Sequence, residues 1–198
     1  MRRIFIGTLV VLTIALINGC ASRKITRVDP NETIDLSGRW NDSDSRLVSE
    51  EMIGDLLTSA WIPRYLKAND KRPVVVVGLV ENKSHEHINS ETFIKDVEKA
   101  IIRDGNIRLV VAGEKRNELR KERAEQQDYA SPETTKKWGK ELGADFILQG
   151  TINSIVDSYK KQKVVTYQID LQLTNIETNE VVWMGDKKIK KQISDRVL

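Results

Sequence analysis

Cysteine and histidine are scarce in this sequence of 198 residues, which has one cysteine and two histidines. A single cysteine excludes an internal disulfide framework and any metal site built from several cysteines. The 4 prolines and 11 glycines are too few for a fibrous or low-complexity chain. The 32 basic and 29 acidic side chains nearly balance, which argues against a nucleic-acid-binding protein, because such proteins carry a strong basic excess.

The one long apolar run lies at the N-terminus, where residues 4–17 follow Arg2 and Arg3. This run is shorter than the roughly 20 residues that a membrane-spanning helix needs, and its length and basic flank are typical of a secretory signal. It ends in Ile-Asn-Gly-Cys, which resembles the bacterial lipobox. That resemblance implies cleavage between Gly19 and Cys20, with a diacylglycerol thioether on the Cys20 sulfur and palmitate or a similar acyl group on its amine.

Three segments are predicted from this pattern: a lipoprotein signal peptide at 1–19, a lipidated flexible tether at 20–35 and one periplasmic domain at 36–198. Ala21 rather than an aspartate follows the cysteine, which favours the outer membrane over the inner membrane as the destination. The tether reaches at most about 50 Å, because an extended residue spans no more than about 3.6 Å.

Hydrophobic periodicity predicts the elements of the domain. Helices are expected from a capping run at 41–45 to residue 60, with Pro63 at or just beyond the end, and then at 90–104, 114–129 and 131–142. Strands are expected at 74–80, 107–112, 146–152, 164–173 and 181–184.

Two strands indicate how the sheet is buried. The β-branched run at 74–77 suits a central strand that is covered on both faces. Apolar and polar residues alternate strictly at 167–173, which suits a strand with one buried and one wet face. The order of elements predicts an α/β (α+β) fold, with a single mixed β-sheet of about five strands, packed helices and a C-terminal antiparallel meander.

Both histidines lie in one polar loop, as His85-Glu86-His87, after the first predicted strand. A metal would need further ligands beside this pair, so a solvated loop is the simpler interpretation, with a metal or partner site as the alternative. The sequence has no phosphate-binding, dinucleotide-binding or nucleophile-elbow motif. We therefore predict that the chain is not an enzyme and that it has no cofactor, metal ion, small-molecule substrate or nucleic-acid partner.

The predicted helix at 114–129 is highly charged and has few apolar residues. A solvated face is the simplest interpretation, but its rows of like charge, with Arg116, Arg120 and Arg123 among them, leave a partner surface as the alternative. Tryptophans stand at positions 40, 61, 138 and 183. We interpret them as core or edge packing, with docking anchors as the alternative, foremost at Trp40.

Four stretches together resemble the LpoB-type family of outer-membrane lipoproteins that activate penicillin-binding proteins. They are DLSGRWNDSD at 35–44, NKSHEHIN at 82–89, WGKELGADFILQG at 138–150 and IETNEVVWMG at 176–185. The resemblance covers about residues 35–192. The third and fourth stretches taken alone are weaker, because they recur in related periplasmic lipoproteins of curli-type secretion and of the flagellum.

The resemblance implies a regulator of peptidoglycan synthesis, and thereby of cell shape, that binds a bifunctional penicillin-binding protein in the periplasm. Several family members have a long proline-rich tether, whereas this chain has about 15 residues with one proline. The candidate partner-contact residues are His85, Glu86 and His87 in the loop and Arg116, Arg120 and Arg123 in the charged helix. The alternative function is a structural or secretion- or flagellum-associated outer-membrane lipoprotein of related fold.

Overall fold

The computed structural model describes residues 25–30, 32–134 and 141–194, which form four helices and five strands. The helices are α1 (Asp42–Thr58), α2 (Trp61–Asn69), α3 (Ser90–Asp104) and α4 (Gly113–Tyr129). The strands are β1 (Val74–Asn82), β2 (Arg108–Val110), β3 (Phe146–Tyr159), β4 (Gln162–Asn175) and β5 (Val181–Ser194). All of these elements lie in the compact unit Thr33–Leu198. No described helix has the length and apolar character that crossing a bilayer requires.

The five strands form one mixed sheet in the order β2-β1-β3-β4-β5. β1 pairs in parallel with β2 and with β3, while β3, β4 and β5 are antiparallel neighbours. A parallel pair needs a long crossover connection, and α3 lies in the connection between β1 and β2. The predicted fold class is confirmed, including the C-terminal antiparallel meander.

The hydrophobic core lies between one face of this sheet and the helices α1 and α3. Its fully buried members include Val48, Leu56, Phe93, Ile101, Leu148, Tyr167, Ile169 and Leu173. The alternation predicted for β4 is confirmed, because its odd-numbered residues from 165 to 173 are buried and its even-numbered residues are partly exposed. In β1, all four residues at 74–77 are buried, which confirms a central strand.

Helix ends follow the capping residues in the sequence. Asn41 and Asp44 form a capping box at the start of α1, each side chain accepting the other's backbone N–H. Asn89 accepts the N–H of Glu91 at the start of α3, and Gly105 ends that helix in the left-handed region at φ 77°. Both helices were predicted near these bounds.

The structure differs from the sequence-based prediction around Pro63. α1 ends at Thr58, and a separate helix, α2, begins at Trp61 with Pro63 in its first turn. A proline is tolerated there because the first N–H groups of a helix have no partner within the helix. Pro63 therefore lies beyond the end of α1, as one of the two predicted alternatives has it, and belongs to α2, a helix that was not predicted.

The three strands of the meander are longer than predicted, at 14 residues each. Pairing continues from Phe146–Asn175 to the turn at Tyr159–Gln162, where Lys160 adopts a φ of 53°. The outer half of β3 exposes apolar Ile155 and Tyr159. The shorter strands were predicted from buried apolar residues, and the outer half of β3 does not show that pattern.

The predicted helix at 131–142 lies largely outside the described residues, because 135–140 are not among them. On either side, residues 131–134 form a turn and residues 141–144 have no regular secondary structure. β2 is also shorter than the predicted 107–112, with three paired residues.

Asp145 holds one end of the sheet together. Its Oδ2 accepts the Tyr65 hydroxyl at 2.7 Å and the Val74 N–H at 2.8 Å. Its backbone N–H donates to the Val74 carbonyl, and its carbonyl accepts the N–H of Ile176. Burial and the hydrogen bond to Asp145 raise the pKa of Tyr65 to about 12. One residue therefore joins α2 and β1 to the segment that follows β4.

Residues 35–41, which we call the strap, run across the sheet before α1 begins. Lys191 on β5 donates to the Asp35 carboxylate at 2.6 Å and to the Arg39 carbonyl at 3.0 Å. Its ammonium also lies 2.6 Å from the carboxylate of Asp44. The side chains of Lys191 and Asp44 are only 10% and 9% exposed, so the two charges are paired with little access to water.

The charges of this cluster stabilise one another. Burial opposes the charge on Lys191, but its hydrogen bonds to Asp35 and Asp44 outweigh burial and raise the pKa of Lys191. The hydrogen bond from Lys191 also lowers the pKa of Asp35. Gly38 has a φ of 68°, and a side chain at this position would collide with Ile193. Charge pairing and close backbone approach together hold the strap on β5.

We expect Lys191→Met to lower the free energy of unfolding by about 2 kcal/mol, because Asp44 then stays buried without its cation. Urea titration measures this change. The matched control is Lys190→Met, because Lys190 is an exposed neighbour on β5, and its effect should stay within about 0.5 kcal/mol. Equal losses in the two variants would contradict the role given to Lys191.

Stability should also fall between about pH 10 and pH 12. The unfolded Tyr65 ionises near its usual pKa of about 10, whereas the folded residue keeps its proton up to about 12, so rising pH favours the unfolded chain. We expect Tyr65→Phe to be about 1 kcal/mol less stable at pH 8 and to lose less stability than wild type between pH 9 and pH 11. Urea titrations at the three pH values test this, with the exposed Tyr129→Phe as control. A pH dependence unchanged from wild type would refute the expectation.

Candidate functional site

An open cavity of about 520 Å³ lies where the end of the strap, the first turn of α1, the loop at 83–89 and the start of β4 meet. Its walls include Arg39, Trp40, Asp42, His85, His87 and Lys163. The loop residues selected from sequence, including Glu86, all line this cavity. Arg39 and Lys163 were not selected, because nothing local in the sequence places residues so far apart beside the histidines.

The loop after β1 is held rigidly by its own polar side chains. Asn82 donates to the Glu86 carbonyl at 2.8 Å, and the Ser84 hydroxyl donates to Asn82 Oδ1 at 2.7 Å. The backbone N–H of Lys83 also donates to the Ile152 carbonyl on β3. Asparagine and serine commonly bond to nearby backbone in this way. The Asn-Lys-Ser stretch carried that signal in the sequence, but neither Asn82 nor Ser84 was selected.

His85 and Glu86 hold the loop on the strap and on β3. His85 Nδ1 lies 2.6 Å from the Ser154 hydroxyl, and His85 Nε2 lies 3.4 Å from Glu86 Oε1. The other Glu86 oxygen accepts the backbone N–H of Trp40 at 3.1 Å. Within the described residues, the side chain of His87 makes no hydrogen bond or ion pair. The loop therefore offers His87, rather than His85 or Glu86, for binding.

Ser154, His85 and Glu86 are linked in the order of a hydrolytic triad, but their surroundings do not support hydrolysis. The Ser154 hydroxyl accepts the backbone N–H of His85 at 3.0 Å, which reduces its nucleophilicity. Ser154 is not among the residues lining the cavity, whereas a nucleophile must reach the bound substrate. We therefore assign these contacts a structural role.

Tyr167 forms the aromatic floor beneath the loop and the strap. It is 0% exposed, and its ring lies 5.5 Å from that of Trp40 in an edge arrangement and 6.4 Å from that of His85 in a stacked one. Burial raises the pKa of the Tyr167 hydroxyl, and the Glu86 carboxylate raises it further. The hydroxyl has no hydrogen-bond partner within the described residues, so the floor is neutral and largely apolar.

The arginines selected from sequence lie on α4, and the structure gathers two of them around one carboxylate. Arg120 binds Glu141 through two hydrogen bonds of 2.9 and 3.0 Å, and Arg123 lies 3.5 Å from the same side chain. The hydrogen bond from Arg120 lowers the pKa of Glu141. Arg116 donates instead to the Val111 carbonyl at 2.8 Å.

α4 contributes no buried residue, although a surface helix normally buries an apolar stripe. Beside its first turn, a groove of about 1050 Å³ runs along α3 and β2. Exposed apolar side chains line it, among them Leu79 and Ile102, which are 65% and 64% exposed, and Val111. Within the described residues, no hydrogen bond or ion pair joins this helix to the histidine loop, so the predicted contact residues form two separate groups.

The tryptophans that the structure describes pack against other side chains, in agreement with the interpretation from sequence. Trp61 and Trp183 belong to the core, and the indole N–H of Trp183 donates to Asp55 at 2.9 Å. Trp40 is partly buried on Tyr167.

Three residues singled out from sequence lie outside the described residues, namely Trp138, Gly19 and Cys20. Among the described residues, no cluster of three or more metal-ligating side chains occurs.

Comparison with solved structures finds several similar proteins. The LpoB C-terminal domain from Escherichia coli is 18% identical, with a TM-score of 0.46, covering 77% of this chain and 99% of that one. The corresponding domain from Salmonella enterica is 16% identical, with a TM-score of 0.42, covering 74% and 98%. Lipoprotein GNA1162 from Neisseria meningitidis is 15% identical, with a TM-score of 0.38, covering 61% and 83%.

Comparison with curated protein sequences finds no match. The sequence profile of the family described as "Peptidoglycan-synthase activator LpoB" matches residues 44–189. That range spans the chain from the first turn of α1 into β5 and includes the histidine loop and α4. The match agrees with the resemblance found in the four sequence stretches. The chain belongs to the LpoB family of peptidoglycan-synthase activators.

Proposed function

We propose that this chain is an outer-membrane lipoprotein that faces the periplasm and binds and activates a bifunctional penicillin-binding protein. The family match over residues 44–189 carries this proposal. The activator performs no chemistry of its own. It raises glycan polymerisation and peptide crosslinking by binding the active state of the synthase more tightly than its resting state, since only differential affinity shifts such an equilibrium.

The proposed anchor is the lipid on Cys20, which precedes a tether at 20–35. Several acyl chains hold a protein on a membrane far more firmly than one, because each buried CH₂ contributes about 0.8 kcal/mol. The strap lies at the end of this tether, and Lys191 fastens Asp35 to β5. The tether thus ends at a point that is firmly attached to the sheet.

The proposed synthase contact is the exposed side of α4 together with the neighbouring apolar groove. Arg116, Arg120 and Arg123 are spaced so that they share one side of the helix, and α4 has no buried residue of its own. Exposed apolar side chains such as Leu79 and Ile102 lie in the groove beside it. A charged helix beside an apolar groove has the composition of a protein-binding surface, because contiguous exposed apolar area is rare on monomers. His87 and its loop form the second proposed contact.

The direct test adds the full-length chain in detergent to each bifunctional penicillin-binding protein of the same cell. We expect a saturable increase in glycan-strand polymerisation and peptide crosslinking with one synthase. If no synthase binds or responds, the proposal fails and a structural or secretion-associated lipoprotein becomes the better description.

Charge reversal tests the proposed contact on α4. We expect Arg116→Glu, Arg120→Glu and Arg123→Glu combined to weaken synthase binding at least tenfold, because three cations at the contact become anions. Lys160→Glu with Lys161→Glu is the control, because this pair lies in the β3–β4 turn and should bind as wild type does. Binding is measured by titration on immobilised synthase. Wild-type affinity of the triple variant would remove α4 from the contact.

The lipid anchor has its own test. We expect Cys20→Ala to abolish incorporation of labelled palmitate, since no other cysteine is present. Ser22→Ala leaves the lipobox intact and serves as control. A variant that still incorporates labelled palmitate would show that Cys20 is not the anchor.

A further inference from the structure

The 520 Å³ cavity brings unengaged basic side chains from three distant parts of the chain to one place. Arg39 comes from the strap, His87 from the loop after β1 and Lys163 from β4. Within the described residues, none of these three side chains makes a hydrogen bond or an ion pair. Unengaged basic side chains that converge from separate elements on one concavity are typical of a site for carboxylates.

The cavity also contains neutral and acidic groups that are free to bind. Ser45 is 4% exposed and lines the cavity, and its hydroxyl has no partner within the described part of the chain. Of the two carboxylates that line the cavity, that of Asp42 has no partner among the described residues, whereas that of Glu86 accepts the Trp40 N–H. Basic side chains, a carboxylate and a buried hydroxyl therefore face one volume, with Trp40 as an apolar wall.

We propose that this cavity binds a short peptide that carries both carboxylates and an amine. Arg39, Lys163 and His87 receive the carboxylates, and Asp42 receives the ammonium. The cavity volume is in the range of small-ligand sites, about 300–1,000 Å³. The uncrosslinked peptide stems of peptidoglycan have this chemistry, and this assignment of the source rests on the function proposed above, in which the activated synthase crosslinks these peptides.

Binding at this position connects three parts of the molecule. Arg39 belongs to the strap, which Lys191 and Glu86 hold through Asp35, Arg39 and Trp40. His87 belongs to the loop, and Lys163 belongs to the sheet. A ligand that contacts all three fastens the strap further to the sheet, so the activator is stabilised where uncrosslinked stems are abundant.

The test titrates the full-length chain in detergent with a soluble disaccharide–peptide fragment of peptidoglycan that has free carboxylates and a free amine. Isothermal titration calorimetry should show saturable binding at one site. Arg39→Ala and Lys163→Ala should each weaken binding about tenfold, the loss expected when one hydrogen bond to a charged group is removed. The control is Lys161→Ala, because Lys161 lies two residues before Lys163 and outside this cavity. Unchanged thermal unfolding confirms that each variant is folded.

Chemically modified fragments test which groups of the ligand the cavity recognises. Acetylating the amine, or amidating the carboxylates, should weaken binding about tenfold, and the Asp42→Asn variant should no longer distinguish the acetylated form. The inference is overturned if the fragment does not bind, if Arg39→Ala and Lys163→Ala bind it as wild type does, or if a peptide-free chito-oligosaccharide binds equally well.

A separate assay keeps this inference distinct from the proposed function. Synthase stimulation is measured with the same chain and without added fragment. If the chain stimulates the synthase but does not bind the fragment, the proposed function stands and this inference is refuted. If the chain binds the fragment but stimulates no synthase, the proposed function is refuted.

Discussion

Lys191 lies between two carboxylates, one at the start of the strap and one in the first turn of α1, and the candidate site depends on that arrangement. Asp35 begins the strap and Asp44 lies in the capping box of α1. Both carboxylates are held by one ammonium that has little contact with water, so the segment before α1 cannot move independently of β5. The strap in turn holds Trp40 on Tyr167 and presents the Trp40 N–H to Glu86. The cavity is built from the surfaces that these contacts bring together.

The two ends of the sheet serve different purposes. At the end where β1 begins, Asp145 joins Tyr65, Val74 and Ile176 through short hydrogen bonds that leave little free for a ligand. At the end where β1 leads into the histidine loop, several polar side chains have no partner among the described residues. Loops beyond the carboxyl ends of strands commonly carry function, because the rigid sheet positions them.

α4 presents a contrast, because its charges are exposed and its contacts are few. Arg120 and Arg123 share Glu141, yet exposed ion pairs contribute little to stability. A helix without a buried stripe gains little from tertiary packing. Among the described residues, nothing covers the apolar groove beside it either. The synthase contact proposed above would account for both features.

Local regularity explains which parts of the fold were predictable. The burial pattern along the strand was visible in the sequence for Val74–Val77 in β1 and for the alternating residues of β4. The ends of α3 were visible because Asn89 and Gly105 have backbone preferences that suit helix ends. The helix α2 was not predicted because a proline such as Pro63 fits both after one helix and in the first turn of the next. The outer half of β3 was missed because Ile155 and Tyr159 are exposed, so hydrophobic pattern and burial disagree there.

The sequence by itself determined the lipobox prediction, the order of the five strands and the position of the histidine loop, because each depends on residues that are close along the chain. Only the tertiary structure decided that Lys191 fastens Asp35 to β5, that His85 and Glu86 hold the loop while His87 has no partner among the described residues, and that Arg39 and Lys163 face one cavity. These pairings join residues 46 to 156 positions apart. No local pattern encodes such contacts, because they arise from how the strap and the loop pack on the sheet.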